Sequence, residues 1–165
     1  MDALQKIEIL QALMAMFIPN VGLLLIILAI SANDFERTRW DYRTKVESSL
    51  FVLIGLWCVF YCVIGFASNI VFKKRELAGQ WTGIAKAALI VYGIHLVLSW
   101  LWLVILIFHE NIMLALADLV IVNVTGVHLI CLFHRVKPLA GYLFSLYIIW
   151  LTFVTTLNCC LLIIN

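Results

Sequence analysis

Five long apolar stretches, separated by short polar segments, dominate the pattern of hydrophobic and polar residues along the chain. They cover approximately Ile9–Ala32, Ser48–Phe72, Ile84–Phe108, Ile112–Phe133 and Pro138–Ile164. About 20 apolar residues in an α-helix cross the roughly 30 Å hydrocarbon core of a bilayer, so each stretch is long enough to span it. The pattern predicts an all-α membrane protein, a bundle of five transmembrane helices that forms one domain over residues 1–165.

The composition argues against the two competing architectures. With 65% hydrophobic and 12% charged residues, the chain has too few charges to cover a soluble domain, and the stretches lack the polar face of a soluble helix. Strands of a transmembrane barrel alternate apolar and polar residues over about ten positions, and these stretches do not. We therefore expect an integral, multi-pass membrane protein in contact with membrane lipid.

The first stretch and the segment after it leave two questions open. Pro19 removes a helical hydrogen bond and bends a helix, either for packing or to widen a cavity. Loop one, Asn33–Glu47, carries charges of both signs. Mixed signs argue against a nucleic-acid partner. The loop is either a simple connection or a lid over the bundle.

One face of the third stretch carries polar and aromatic side chains. Tyr92, His95, Ser99 and Trp102 stand at i, i+3, i+7 and i+10, so they share a side of a helix. Polar groups that face lipid are costly, and this side is therefore expected to face the bundle interior. Two interpretations remain: hydrogen bonds between helices, or the lining of a mostly apolar ligand pocket.

The second and fifth stretches also have distinct faces. Small and polar residues at i, i+4, i+7 and i+11 of the second suit close helix contact: Cys58, Cys62, Gly65 and Asn69. In the fifth, one face collects Tyr147, Trp150, Val154, Leu157 and Asn158, and a second stripe holds Ser145, Thr152, Thr156 and Cys159. One of these two stripes can pack against a helix while the other lines a cavity.

Polar residues of the fourth stretch give less specific signals. Asp118 is a carboxylate within an apolar stretch and so a functional candidate; the alternative is that it caps or bridges helix ends. His128 is interpreted as an interior histidine with a hydrogen-bond partner. No phosphate loop, nucleophile turn or metal-binding spacing is present in the sequence. No catalytic residue, metal ligand or required cofactor is therefore assigned, although haem ligation by His95 or His128 stays open.

These residues together resemble the translocator protein family, also called peripheral benzodiazepine receptors or tryptophan-rich sensory proteins. The family's Pro-Leu-Ala and Tyr-x-x-Trp-Leu-x-Phe-x-Thr-Thr-Leu-Asn run is found as Pro138, Leu139, Ala140, Tyr147, Trp150, Leu151, Phe153, Thr155, Thr156, Leu157 and Asn158. Its pattern in the second span is matched by Trp57, Tyr61, Gly65 and Ser68, and its patterns in the next two by Tyr92, Leu98, Trp100, Trp102 and Ala115–Asp118. The resemblance covers about residues 50–160.

The chain departs from the family pattern at several places. The family's first loop carries a Pro-x-Trp-x-Pro-Pro element that closes over the ligand, whereas Asp41–Phe51 contains neither residue type. Leu103-Val104 replaces a pair of prolines, and Leu114 stands where many members have Trp. The C-terminal cholesterol pattern is not kept, because Cys159 occupies the position of its Tyr.

The resemblance implies a translocator or receptor that binds a lipophilic small molecule, a sterol or a tetrapyrrole such as porphyrin or haem, between helices. Its ligand-binding residues would be Tyr92, His95, Ser99, Trp102, Tyr147, Trp150, Val154, Leu157 and Asn158. It further implies the mitochondrial outer membrane, or another intracellular membrane, and a homodimer with Gly93 and Trp100 as candidate contacts. The alternatives are a structural or interaction protein that kept the fold and lost the pocket, and an enzyme that degrades porphyrin.

Substitution of Asn158 tests whether its side chain faces the interior of the bundle. Replacing an interior amide with Leu removes its hydrogen bonds at a cost of about 1–3 kcal/mol. We therefore expect Asn158→Leu to lower thermal stability or ligand affinity.

Overall fold

The chain folds into long helices joined by short segments. The computed structural model describes residues 3–32, 47–77, 83–109 and 111–164. Over these ranges it contains five α-helices and no strand: α1 Ala3–Ala32, α2 Glu47–Leu77, α3 Gly83–Phe108, α4 Ile112–Val136 and α5 Pro138–Ile164. All five are long and apolar enough to cross a membrane. The prediction of an all-α, multi-pass membrane protein is confirmed.

The helix ends differ from the apolar stretches by a few residues. α1 begins at Ala3 and α2 continues to Leu77, because a helix can extend into the polar interface beyond its apolar part. The N-cap of α4 is Asn111, whose side chain accepts a hydrogen bond from the Leu114 amide at 2.9 Å. Asn111, and not Asp118, therefore caps the start of α4. Pro138 is the first residue of α5, where its missing N–H has no cost.

The helices form a ring in which chain neighbours are not always spatial neighbours. α1 packs on α2, α2 on α5, α5 on α4 and α4 on α3, and α3 returns to contact α1. α5 therefore lies between α2 and α4. Along its axis the bundle has two halves. The half that contains the end of α1 and the start of α2 is called the loop-one half. The other, the opposite half, contains the start of α1 and the end of α2.

Large side chains fill the centre of the ring. Phe133, Phe144 and Tyr147 have no exposed surface, while large apolar side chains such as Phe17 and Ile149 lie on the outside. An apolar exterior is expected for helices whose solvent is lipid, because lipid tails are as apolar as these side chains.

Close backbone contact joins α1 to α2. A Cβ atom on Gly65 would collide with the Ala15 carbonyl oxygen and with the Cα atom of Met16. The Ala15 carbonyl is the one that Pro19, four residues later, cannot bond. Next to it, the Asn20 side-chain amide donates to the Cys62 sulfur at 3.4 Å. The small face predicted for α2 is thus the face on which α1 packs.

The lid alternative for loop one concerns residues 33–46, which lie outside the described ranges.

Candidate ligand-binding site

Six aromatic rings from three helices meet in the loop-one half of the bundle. We call them the indole cluster: Trp57, Phe60 and Tyr61 of α2, Trp102 of α3, and Tyr147 and Trp150 of α5. Trp57 stacks on Trp102 with ring centroids 5.5 Å apart, and its edge meets Trp150 at 6.1 Å. Phe60 stacks on Trp150 with ring centroids 5.3 Å apart. Such spacings are those at which aromatic pairs attract.

Three hydroxyl groups, two of them on tyrosines of the indole cluster, link the same helices. The Tyr61 hydroxyl lies 2.7 Å from Ser99 Oγ, and Ser99 Oγ lies 3.2 Å from the Tyr147 hydroxyl. Ser99 is almost fully buried. It therefore makes the hydrogen bonds between helices that one interpretation of the α3 face predicted.

His95 occupies the middle of the bundle and is completely buried. Its Nδ1 lies 3.0 Å from Thr125 Oγ1, and Thr125 Oγ1 donates to the Val122 carbonyl oxygen at 2.9 Å. Since the Thr125 proton is used in that second bond, His95 Nδ1 must be the donor. The His95 Nε2 atom is then an acceptor, and it has no partner within the described residues.

Several other buried polar atoms also lack a hydrogen-bond partner among the described residues. They include the indole N–H groups of Trp57, Trp102 and Trp150, and Oδ1 of Asn158. Asn158 Nδ2 donates only to the Val154 carbonyl of its own helix, at 3.2 Å. A buried donor or acceptor without a partner costs about 1–3 kcal/mol. The three indole donors thus belong to the indole cluster, whereas the two acceptors, His95 Nε2 and Asn158 Oδ1, lie beside it and further along α5.

The structure brings together most, not all, of the nine residues predicted to bind a ligand. Trp102, Tyr147 and Trp150 belong to the indole cluster, with His95 and Ser99 beside it. Val154 and Asn158 are buried further along α5. Leu157 is 37% exposed on the outer surface and lies apart from these residues.

Tyr92 lies apart for a different reason. It precedes Trp102 by ten residues on α3, which is about 15 Å along a helix. It is in the opposite half, where it lines a separate cavity between α1, α2 and α3. Periodicity gives the side of a helix on which a residue lies, whereas its distance along the axis decides which neighbours it meets.

Trp57, Tyr61 and Thr125 take part in the site but were not among the predicted residues. Trp57 is central, because four of the cluster's ring contacts involve it. Two features of the sequence could have identified Trp57: it stands four residues before Tyr61, and both residues match the family pattern of the second span. Thr125 had no comparable signal, since a lone Thr in an apolar stretch does not predict a partner.

The structure contradicts one interpretation, that of His128, and gives Trp100 a contact that the sequence did not predict. His128 is exposed, beside the outward-facing Val124 and Val127, and is not an interior histidine. Trp100 makes contacts within its own chain. Its indole N–H donates to the Pro19 carbonyl oxygen at 3.0 Å, and its ring packs over Gly22. A homodimer stays a prediction, with exposed Gly93 and half-buried Trp100 as its candidate contacts.

Comparison with known proteins agrees with this arrangement. The sequence profile of the TspO/MBR family matches residues 19–163. The human Translocator protein is 35% identical over 109 residues, 66% of this chain, and the matched region spans 63% of the human protein. The pig Translocator protein is 31% identical over 62% of its length. The mouse Translocator protein 2 is 29% identical over 146 residues, 86% of this chain and 85% of the mouse protein. The chain therefore belongs to the TspO/MBR family of membrane proteins.

Proposed function

We propose that this protein binds a lipophilic small molecule, a tetrapyrrole or a sterol, at the indole cluster, and carries it through the membrane or senses it. The names of its relatives support a translocator function. The observation that carries the proposal is the set of three buried indole N–H groups that have no partner within the described ranges, on helices that meet around one ring cluster. The mitochondrial outer membrane, or another intracellular membrane, is the proposed location.

The polar atoms favour a tetrapyrrole over a sterol. One sterol hydroxyl oxygen has two acceptor lone pairs, which is fewer than the three indole donors of Trp57, Trp102 and Trp150. A tetrapyrrole that carries carboxylates has more acceptors, and its pyrrole N–H groups can donate to His95 Nε2 or Asn158 Oδ1. Its flat ring can also stack on indole rings, a contact worth roughly 0.5–1.5 kcal/mol beyond the area that it buries.

Ligand binding at this position must separate rings that now touch each other. Trp57 and Trp102 would lose part of their stacking contact, and their fluorescence would change because the ligand lies against them. Protein in detergent is titrated with protoporphyrin and, separately, with a sterol. We expect saturable quenching with protoporphyrin and a weaker response to the sterol.

Variants assign the quenching to the cluster. Trp102→Phe and Trp150→Phe are expected to weaken protoporphyrin affinity about tenfold each, since each loses a buried hydrogen bond to a charged acceptor and part of a stack. Trp100→Phe is the matched control, because Trp100 contacts α1 instead. Equal affinity in all three variants would contradict binding at the indole cluster.

Asn158→Leu separates affinity from stability. Within the part of the chain that the structure describes, Asn158 has only a bond within its own helix and its Oδ1 has no partner, so its replacement by an apolar residue of similar size should leave thermal stability unchanged or raise it. This revises the expectation from the sequence. Affinity for protoporphyrin should fall about three- to tenfold if the amide oxygen meets the ligand. Unchanged affinity would remove Asn158 from the site.

A structural role without a ligand is the second candidate. The observation in its favour is that Tyr61, Ser99 and Tyr147 already bond one another while the surrounding rings stack. On this hypothesis, correctly folded protein shows no saturable quenching with either compound, and Ser99→Ala affects stability alone.

A further inference from the structure

A cavity of about 240 Å³ lies between α1, α2 and α3 in the opposite half of the bundle, away from the indole cluster. We call it the α1 groove. Its walls are mainly apolar, and the side chains that line it are Gln11, Met14, Ala15, Ile18, Ser68, Asn69, Phe72, Leu89 and Tyr92.

Three uncharged polar side chains form the inner wall of the α1 groove. Ser68, Asn69 and Tyr92 are each more than nine-tenths buried. Ser68 Oγ donates its proton to the Gly65 carbonyl at 2.7 Å, so it can only accept from a newcomer. The Tyr92 hydroxyl lies near Ser68 but has no partner at hydrogen-bonding geometry within the described residues. The wall therefore presents an unused O–H donor at the back of an apolar groove.

The α1 groove opens sideways toward lipid. Met14 and Ile18, which form its rim on α1, are 59% and 54% exposed, and both lie within the membrane-spanning part of α1. Toward the end of α2, Lys73 Nζ pairs with Glu8 Oε2 at 3.2 Å and so joins α2 to α1. Lys73 follows Asn69 by four residues, which places it about 6 Å further along the helix.

The ion pair bears on the charge of an occupant. The Lys73 cation is already matched by the Glu8 carboxylate, and every polar side chain that lines the groove is uncharged. An anionic head group would gain little there and would lose its water. An uncharged hydroxyl at the depth of Tyr92 would accept one hydrogen bond and donate another, for example to Asn69 or Ser68.

The volume bears on the size of an occupant. About 240 Å³ is less than the roughly 300–1,000 Å³ of pockets that enclose a drug-sized ligand. The α1 groove can therefore hold one end of a lipid while the rest extends into the bilayer past Met14 and Ile18.

We propose that the α1 groove is a second lipid site, which takes an uncharged lipid with a single hydroxyl group on an apolar body. The hydroxyl lies against Tyr92, Ser68 and Asn69, and the apolar body leaves between α1 and the surrounding lipid. The site is distinct from the indole cluster, because it lies in the other half of the bundle and none of its lining residues belongs to that cluster.

The test is photolabelling of the protein in phosphatidylcholine vesicles with a long-chain alcohol that carries a diazirine near its hydroxyl. We expect crosslinks on peptides that contain residues 11–18 and 68–72, mapped by mass spectrometry. Excess unlabelled long-chain alcohol or excess sterol should compete, and the stronger competitor identifies the source of the hydroxyl. The fatty acid of equal chain length, charged at neutral pH, should label these peptides several-fold less.

Tyr92→Phe removes the hydroxyl and keeps the ring. Labelling should fall about three- to tenfold, the value of one hydrogen bond, while the melting temperature stays within error because the hydroxyl has no hydrogen-bond partner among the described residues. Tyr142→Phe, at an exposed tyrosine of α5, is the matched control and should label normally. Equal labelling of the Tyr92 variant, equal labelling by the fatty acid, or crosslinks on α5 in place of α1 and α2 would each overturn the proposal.

Discussion

The first and last helices, α1 and α5, are attached to the bundle in different ways. α5 buries large rings among other rings: Phe144 and Tyr147 have no exposed surface. α1 exposes most of its large side chains, including Phe17 at 70%. It is held where its backbone approaches Gly65 and where Trp100 bonds the Pro19 carbonyl.

The difference reflects the solvent. In lipid there is no hydrophobic effect that drives apolar helices together. Packing and hydrogen bonds therefore decide how firmly a membrane helix is held. α5 has many such contacts, whereas α1 depends on a few places where α2 and α3 come close. Changes at α5 should therefore weaken the whole bundle, and changes at the α1 contacts should loosen α1 first.

The largest effect is expected from Phe144→Ala. Phe144 is enclosed by the rings of His95, Phe133 and Tyr147 at centroid distances of 5.2–5.6 Å. Its removal should cost about 3–5 kcal/mol of unfolding free energy, through lost packing and a cavity. Denaturant unfolding in detergent measures it. Phe153→Ala, at a half-exposed ring of the same helix, is the control, and equal losses in both variants would contradict the enclosed position.

The next effect is expected from Gly65→Ala. The new methyl group meets backbone atoms of Ala15 and Met16, which cannot rotate away, so about 1–3 kcal/mol of strain or separation should follow. The reactivity of Cys62 shows whether α1 has separated from α2, because the Cys62 sulfur faces Asn20 of α1. Its reaction with a maleimide should accelerate, while that of exposed Cys131 should not change.

Gly55→Ala is the matched control for that variant. A Cβ atom on Gly55 has no neighbour within 4 Å among the described residues, and Ala is a better helix former than Gly by about 1 kcal/mol. Its stability should stay the same or rise. If both glycine variants behave alike, α1 does not approach α2 as closely as described.

A smaller effect is expected from Ser99→Ala. It leaves the Tyr61 and Tyr147 hydroxyls without their shared partner. Hydrogen bonds between membrane helices average about 0.6 kcal/mol each, so roughly 1 kcal/mol of unfolding free energy should be lost. Ser145→Ala is the control, since Ser145 Oγ donates only to the Tyr142 carbonyl of its own helix. A loss no larger than that of the control would show that the hydroxyl chain adds no stability.

The smallest effect on global stability is expected from Trp100→Phe, which removes one hydrogen bond, about 0.6 kcal/mol, and part of the packing over Gly22. The main effect of this substitution should instead be a local opening of α1. Amide hydrogen exchange should accelerate in α1 peptides around Pro19 and remain unchanged in α4 and α5. Equal acceleration in all helices would mean that α1 and the bundle open together.

The predicted site could be recovered only in part from the sequence. The inward direction of His95, Ser99 and Trp102 followed from the cost of polar groups in lipid, and all three are buried. Leu157 could not be placed in the same way, because a Leu is equally compatible with lipid and with the interior. Trp57 was recognised as part of an aromatic flank, but its central position depends on contacts with α3 and α5, which are distant in sequence.

The amino-acid sequence by itself determined the number and length of the helices, their membrane environment and the direction of the polar faces, since these depend on local composition and helical period. Only the tertiary structure decided which faces meet. It separated Tyr92 from Trp102 on one face of α3, turned Trp100 toward α1 and left indole N–H groups without partners among the residues that it describes. The physical reason is that apolar helices in lipid have many acceptable neighbours, and close backbone contact, ring packing and a few hydrogen bonds select among them.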